Sequence, residues 1–355
     1  MIRRLAGAVL AACALFALFV ASAAAAEVPA GPRLTFVLAS DSALQLVSTD
    51  PSGGDQQVIF GGKSESHLLP FPFSAPTWSA DGARVAFMGT VRSKDEPFID
   101  IYDAAADGSG VVKLPGTREG SYPVLSPDGH TLAFARYRER EARRPHLGEV
   151  TVFRSASIWL LDITSGALKQ LTPWRNGLLE YPSSFSPDGS TLAVTRDRRL
   201  RPHRFRVEAA AVRLDGSGST VLARNAGEPV YSPDGTRLAL IVLGKRRTFK
   251  SKEGETRTVE TDLAVASADG SGLVKLTHTR PQELQPSWDP SGQRLAYTQI
   301  PLGGGEAHFL GIGDSIMEIN ADGACPTKVL SYPRVILYGA TWQPGPGREA
   351  GPITC

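Results

Sequence analysis

From residue 34 onward, short apolar runs recur between polar turns, always in the same order. A large residue precedes a four-residue turn, and an apolar triplet follows. The copies are Trp78-Ser-Ala-Asp-Gly82 with Val85-Ala-Phe87, Leu125-Ser-Pro-Asp-Gly129 with Leu132-Ala-Phe134, and Phe185-Ser-Pro-Asp-Gly189 with Leu192-Ala-Val194. They continue as Tyr231-Ser-Pro-Asp-Gly235 with Leu238-Ala-Leu240, Trp288-Asp-Pro-Ser-Gly292 with Leu295-Ala-Tyr297, and the incomplete Trp342-Gln-Pro-Gly345. The large residues at 78, 125, 185, 231, 288 and 342 stand 47, 60, 46, 57 and 54 residues apart. Self-similarity at such a period marks a repeat architecture.

Each unit holds a second pair of runs about an Asp-Gly or Ser-Gly turn. Ile101-Tyr-Asp, Asp107-Gly-Ser-Gly110 and Val112-Lys-Leu114 form one, and Leu263 to Leu276 about Asp269-Gly-Ser-Gly272 forms another. Weaker copies pass through Leu160-Leu-Asp162, Val212-Arg-Leu214 and Met317-Glu-Ile319. Four short strands per unit, joined by turns that tolerate positive φ, predict a four-stranded antiparallel blade. The expected fold is an all-β, six-bladed β-propeller over residues 33–345. Leu34-Thr-Phe-Val-Leu38 matches the second strand of a blade, so Gly339 to Gln343 is expected to supply the missing first strand and close the ring. Pro76, Pro123, Pro182, Pro229 and Pro286 lie two or three residues before the large residue, where an innermost strand leaves one hydrogen-bonding edge free.

The recurring x-P-x-W-S-P-D-G-x-x-L-A-F, then I-Y-x-x-D-x-D-G-S-G and K-L-T, resembles the TolB-type, WD-like propeller repeat. That resemblance covers about residues 33 to 345 and implies the fold rather than a reaction. TolB-type proteins carry an α/β domain ahead of the propeller, and no stretch here is expected to encode one. Related propellers precede α/β-hydrolase domains in prolyl-oligopeptidase-like peptidases, and this chain is expected to end where such a domain begins.

Composition adds compartment. The chain has 355 residues, 42% hydrophobic and 21% charged, enough for a large core and too few charges for a disordered tail. Met1-Ile2-Arg3-Arg4, an apolar stretch from Leu5 to Ala21 and an alanine run before Glu27 read as a secretory leader cleaved after Ala26. A second reading makes Leu10-Ala11-Ala12-Cys13 a lipid-attachment box. Residues 27–32 would be a short lead-in and 346–355 a tail. The expected location is therefore periplasmic, extracellular or in the cell envelope. Without residues 1–26 only Cys325 and Cys355 remain, and an oxidising compartment favours their disulfide.

The exported chain holds 36 basic and 36 acidic residues, so charge matters through its placement. Asp81, Asp107, Asp128, Asp188, Asp215, Asp234, Asp269 and Asp322 fall in turns expected on one face. The opposite face receives the longest loops and three basic clusters: Arg136, Arg138, Arg140, Arg143 and Arg144; Arg196, Arg198, Arg199, Arg201, Arg204 and Arg206; and Lys245, Arg246, Arg247, Lys250 and Lys252. Such a face attracts anions at long range and through bidentate arginine bonds. The blander reading is solvated hairpin extensions, since Glu149 to Phe153 and Thr256 to Thr261 read as strand continuations. Glu119, Glu180, Glu228 and Glu283 precede the prolines that open inner strands. They form either an acidic ring at the channel mouth, for a cation or amine, or ordinary surface acids.

Other chemical signals are weak. Gly313-Asp314-Ser315-Ile316 resembles the GDSL-hydrolase nucleophile block without its strand-to-helix setting. The Asp-Gly-Ser-Gly turns lack the distal acid of a calcium loop. Gly303-Gly304-Gly305 lacks the lysine and helix of a phosphate cradle, and the six histidines show no metal spacing. Trp78, Trp288 and Trp342 are blade-packing residues, whereas Trp159 and Trp174 are less constrained. The leading expectation is an exported, monomeric binding or scaffold propeller, without cofactor or metal, that recognises a protein or anionic envelope polymer. A transient anionic membrane contact fits the same face, and export argues against nucleic acid as a natural target. Alternatives are a hydrolase or lyase at the channel mouth, using the glutamates with His67 or His278, and a sensory adaptor.

Overall fold

The computed structural model describes residues 31–40, 43–63, 68–70, 75–91, 98–144, 149–201, 204–251, 254–300, 315–332, 335–345, 347 and 349–355. The expected leader, with Cys13, lies outside them. The described chain forms six antiparallel sheets that follow the repeat. Blade 1 holds β1 (Leu34–Ala39), β2 (Ala43–Thr49) and β3 (Gln57–Lys63). In blade 2, β4 (Leu68–Pro70) and β5 (Thr77–Trp78) both pair with β6 (Arg84–Val91), followed by β7 (Phe98–Ala105) and β8 (Val112–Lys113). Blade 3 is β9 (Gly120–Leu125), β10 (Thr131–Arg144), β11 (Glu149–Asp162) and β12 (Leu168–Gln170). Blade 4 is β13 (Leu178–Phe185), β14 (Thr191–Arg201), β15 (Arg204–Arg213) and β16 (Ser219–Arg224). Blade 5 is β17 (Ala226–Tyr231), β18 (Arg237–Ser251), β19 (Gly254–Ser267) and β20 (Val274–Lys275). Blade 6 is β21 (Gln282–Trp288), β22 (Arg294–Ile300), β23 (Ser315–Asn320) and β24 (Thr327–Ser331). The last strand, β25 (Ile336–Trp342), pairs with β1 and completes blade 1.

The apolar triplet explains how blades stack. Side chains alternate between sheet faces, so Leu132 and Phe134 pack on blade 2 while Ala133 faces blade 4. Leu295 and Tyr297 likewise pack toward blade 5, and Ala296 toward blade 1. The alanine leaves room for the next blade's large residues. The core is therefore divided among the interfaces between blades, and the cluster joining blades 6 and 1 includes Leu34, Phe36, Ile316, Leu337 and Trp342.

The turn joining strands one and two repeats as one hydrogen-bonded unit. In blade 3 the Ser126 hydroxyl donates to Asp128 at 2.5 Å, the same carboxylate accepts from His130 N at 3.0 Å, and Thr131 N donates to Ser126 Oγ at 2.9 Å. Gly129 takes the left-handed conformation at φ 70° that this turn requires. Blade 6 exchanges the two residue types. Asp289 accepts from Ser291 Oγ at 2.5 Å and from Arg294 N at 2.8 Å, so Asp-Pro-Ser-Gly closes the same turn.

The inner strands carry a bulge that the proline positions announce. In blade 3 the register passes from Ala133↔Val124 to Ala135↔Ser121, so Tyr122 and Pro123 together oppose one residue. Glu228-Pro229, Gln285-Pro286 and Gly339-Ala340 repeat this arrangement. The first bulge residue is left-handed: φ is 54° at Tyr122, 51° at Glu228, 56° at Gln285 and 70° at Gly339. Proline fits as the second residue because the bulge withdraws it from the ladder. The free edge is partly used between blades, where Thr77, Ser184 and Ser287 hydroxyls accept the backbone N–H groups of Leu125, Tyr231 and Trp342 at 3.2, 3.0 and 3.1 Å.

The C-terminal tail is strapped across blade 6. Cys325 and Cys355 form a disulfide with their Cα atoms 5.4 Å apart. Asn320 exchanges two bonds with Ile353, and the Arg294 guanidinium donates to the carbonyls of Gly351 at 2.8 Å and Ala350 at 3.1 Å.

Candidate functional site

Three neighbouring blades extend on one face. β10, β14 and β18 run for 14, 11 and 15 residues, against 6, 8 and 7 in the equivalent β1, β6 and β22. At about 3.3 Å per residue the longest additions reach on the order of 20 Å beyond their blades. All three extensions carry the connection between strands two and three, so the antiparallel connectivity puts them on the same face. The basic clusters expected in loops thus lie mainly on paired strands. Glu149 to Phe153 and Thr256 to Thr261 do continue strands, as the hairpin-extension reading expects. The arginine-rich arms opposite them give no such signal, because charges mask the apolar alternation by which strands are recognised.

The cluster members differ in what they touch. Arg136 is half-buried, with its guanidinium 4.6 Å from the Trp159 ring and a bond to the Gly116 carbonyl. Burial lowers its pKa below the usual arginine value. Arg196 is paired at 2.7 Å with Glu180. Arg136 thus ties β10 to the connection that leads from blade 2 into blade 3, and Arg196 ties β14 to β13 within blade 4. Arg138, Arg198, Arg199, Arg206, Lys245 and Arg246 are exposed, and among the described residues none has an ion-pair partner. Arg140, Arg143, Arg144, Arg201, Arg204, Arg247 and Lys250 are placed here by strand position alone, and Lys252 lies outside the described residues.

Register supplies the most informative detail. β14 and β15 set Arg198 directly opposite Arg206 and Arg201 opposite Arg204. Like charges facing each other across a ladder destabilise it. Phe205, 45% exposed, and Leu200, 41% exposed, lie at the same hairpin end.

The four glutamates occupy different surroundings. Glu119 is exposed, in the left-handed region at φ 60°. Glu180 is buried against Arg196. Glu283 is fully buried and accepts from Leu263 N at 2.7 Å, Thr279 Oγ1 at 2.7 Å and the Thr277 hydroxyl. Its pKa is raised, chiefly by burial. Glu180 and Glu283 share one offset, five residues before the large residue of their repeat. Glu180 ties its inner strand into its own blade, whereas Glu283 ties β21 of blade 6 to β19 of blade 5 and the connection that follows that blade. Glu228 instead stands at the bulge. Its N–H donates to Thr195 Oγ1 at 2.7 Å, and its carboxylate accepts the Gln285 backbone N–H of the next blade's bulge. Burial raises its pKa to about 7.

Around Glu228 the ring brings together groups that lie far apart in sequence. Tyr122 of blade 3 and Tyr338 of blade 1 are close enough that each feels the Glu228 charge, and burial raises both hydroxyls well above the usual tyrosine value. Blades 1, 3 and 5 alternate around a six-membered ring, so these three groups converge across its axis. The Tyr181 ring centroid lies 4.9 Å from Tyr122 and 6.0 Å from Tyr137. Asp197 neighbours Tyr181, and burial raises its pKa. Sequence reading missed the tyrosines, Asp197 and Gln285. The available signal was the residue immediately before each recurring proline.

Among the described residues no group of three His, Cys, Asp or Glu could hold a metal ion. His278 is exposed, while His67, Gly303 to Gly305, Gly313 and Asp314 lie outside the described residues; Ser315 opens β23, paired with Gln299.

No protein-family model matches the chain. It is 32% identical over 231 residues to the Tol-Pal system protein TolB of Anaeromyxobacter dehalogenans, covering 61% of this chain and 48% of that protein. It is 25% identical over 228 residues to a Bacillus subtilis protein named uncharacterized peptidase YuxL, covering 63% of this chain and 29% of that one. The chain thus spans about half the length of the TolB relatives it matches. Among solved structures, TolB from Acinetobacter baumannii superposes with a TM-score of 0.59 at 17% identity, covering 88% of this chain and 67% of that one. That likeness shows a shared fold.

Proposed function

We propose that this TolB-type β-propeller is an exported binding or scaffold protein of the cell envelope, whose extended basic ribbons engage an anionic polymer or an acidic protein surface. The observation that carries this reading is the cross-strand facing of Arg198 and Arg206, followed beyond a register shift by the facing of Arg201 and Arg204. A ribbon built only for solvent would gain by placing an acid opposite each arginine, as β11 and β10 do where Arg154 pairs with Glu139 at 2.7 Å. Uncompensated arginines stacked across a ladder are stabilised when carboxylates or phosphates lie over them. The leader-like residues 1–26 and the TolB relatives support an envelope location.

The test is co-sedimentation of the protein with envelope fractions across a salt series, beside a variant carrying Arg198→Ser and Arg206→Ser. The expected result is binding that weakens steeply with salt, because exposed charges are screened over about 8–10 Å at ordinary ionic strength, and that falls in the variant. Equal binding by both forms at every salt concentration would refute the assignment.

A further inference from the structure

The axial cluster carries chemistry that the basic ribbons do not use. Glu228 accepts one backbone N–H, and among the described residues it has no cationic partner. Gln285 Oε1, in the residue whose N–H Glu228 accepts, and Asp197 Oδ1, in the residue beside Tyr181, are buried atoms without a hydrogen-bond partner. Unused acceptors therefore gather where the tyrosines converge. Buried acceptors left unpaired are costly, and the face of an aromatic ring attracts positive charge. An anion would meet the Glu228 carboxyl, and a neutral ligand would leave it uncompensated. The cluster is also reachable, since Tyr122 and Tyr137 expose 37% and 44% of their surfaces.

The backbone supports the same conclusion. Tyr122, Glu228 and Gln285 are non-glycine residues held left-handed at equivalent bulges of blades 3, 5 and 6. Such conformations persist where the surrounding structure enforces them and often place side chains for a task.

We propose that the propeller axis binds an ammonium group, of the kind carried by an alkylamine or a lysine side chain, with Glu228 as counter-ion and the rings of Tyr122 and Tyr181 beside it. This site is built from inner strands and is independent of the arginine ribbons. A bound ammonium holds the Glu228 carboxyl in its charged form, offsetting the burial that raises its pKa.

The experiment is calorimetric titration of the whole protein at pH 8 with n-butylammonium chloride, and with 1-butanol as the neutral probe of matching shape. The amine is expected to saturate one site and the alcohol none. Glu228→Gln preserves shape and removes the charge, and is expected to weaken amine binding by about tenfold or more. Tyr181→Phe is expected to retain binding and Tyr181→Leu to weaken it, while Arg198→Ser with Arg206→Ser leaves it unchanged. Absence of saturation by the amine, or equal affinity in wild type and Glu228→Gln, overturns the proposal. Should Glu228→Gln fail to fold, the two Tyr181 variants decide, and equal binding by both overturns it.

Discussion

Arg294→Ala is expected to destabilise the protein by about 3–5 kcal/mol, the cost of breaking a buried ion pair from one side. Arg294 and Glu318 are both buried and joined at 2.8 Å. The second carboxylate oxygen, Glu318 Oε1, already lacks a partner, and burial raises the pKa of this group to about 7 despite the opposing arginine. The same guanidinium bonds two tail carbonyls and lies 5.9 Å from the Trp342 ring, so its loss also loosens the strap. A carboxyl with a raised native pKa favours folding below its unfolded pKa and loses that contribution as pH rises through the native one. Removing the arginine raises that native pKa further. The loss should therefore be larger at pH 8 than at pH 5, and Arg294→Ala with Glu318→Gln should recover part of it. Denaturant unfolding of the three proteins at both pH values checks this; equal losses at the two pH values would contradict the role given to Glu318.

Deleting residues 336–355 is expected to abolish cooperative folding. β25 is the inner strand of blade 1 and buries Leu337, Ala340 and Trp342 among residues of blades 6 and 1. Each large side chain removed from a core costs roughly 2–5 kcal/mol, and native domains hold only about 5–15 kcal/mol in total. The deletion also opens the edge of β1 and takes away the disulfide and tail bonds. Thermal melting followed by circular dichroism should show no sharp transition. A cooperative melt near that of the intact protein would mean that the ring does not depend on this closure.

The fold was legible because its signals are local and repeated. Each Asp-Gly turn carries its hydrogen bonds within six residues, and each Leu-Ala-Phe triplet specifies a large face and a small one. The extent of the ribbons was less legible, since pairing such as Arg198 with Arg206 depends on register across a hairpin and leaves no apolar alternation. The channel was harder still. Glu180 and Glu228 look alike in sequence, yet one lies within regular pairing and meets Arg196, whereas the other occupies a bulge and meets Gln285. Tyr122, Tyr338 and Glu228 become neighbours only when the ring closes, and no spacing along the chain encodes that.

The measurement that bears most directly on the basic ribbons is the affinity of Arg206→Glu for poly-L-glutamate across a salt series, taken together with its thermal midpoint. The substitution turns a facing pair of like charges into an opposite pair, so the fold should gain a few tenths to about 1 kcal/mol. Binding should weaken, and its dependence on salt should flatten. A variant that is more stable and binds as tightly as the wild type would contradict the account, because the facing arginines would then serve no anionic partner.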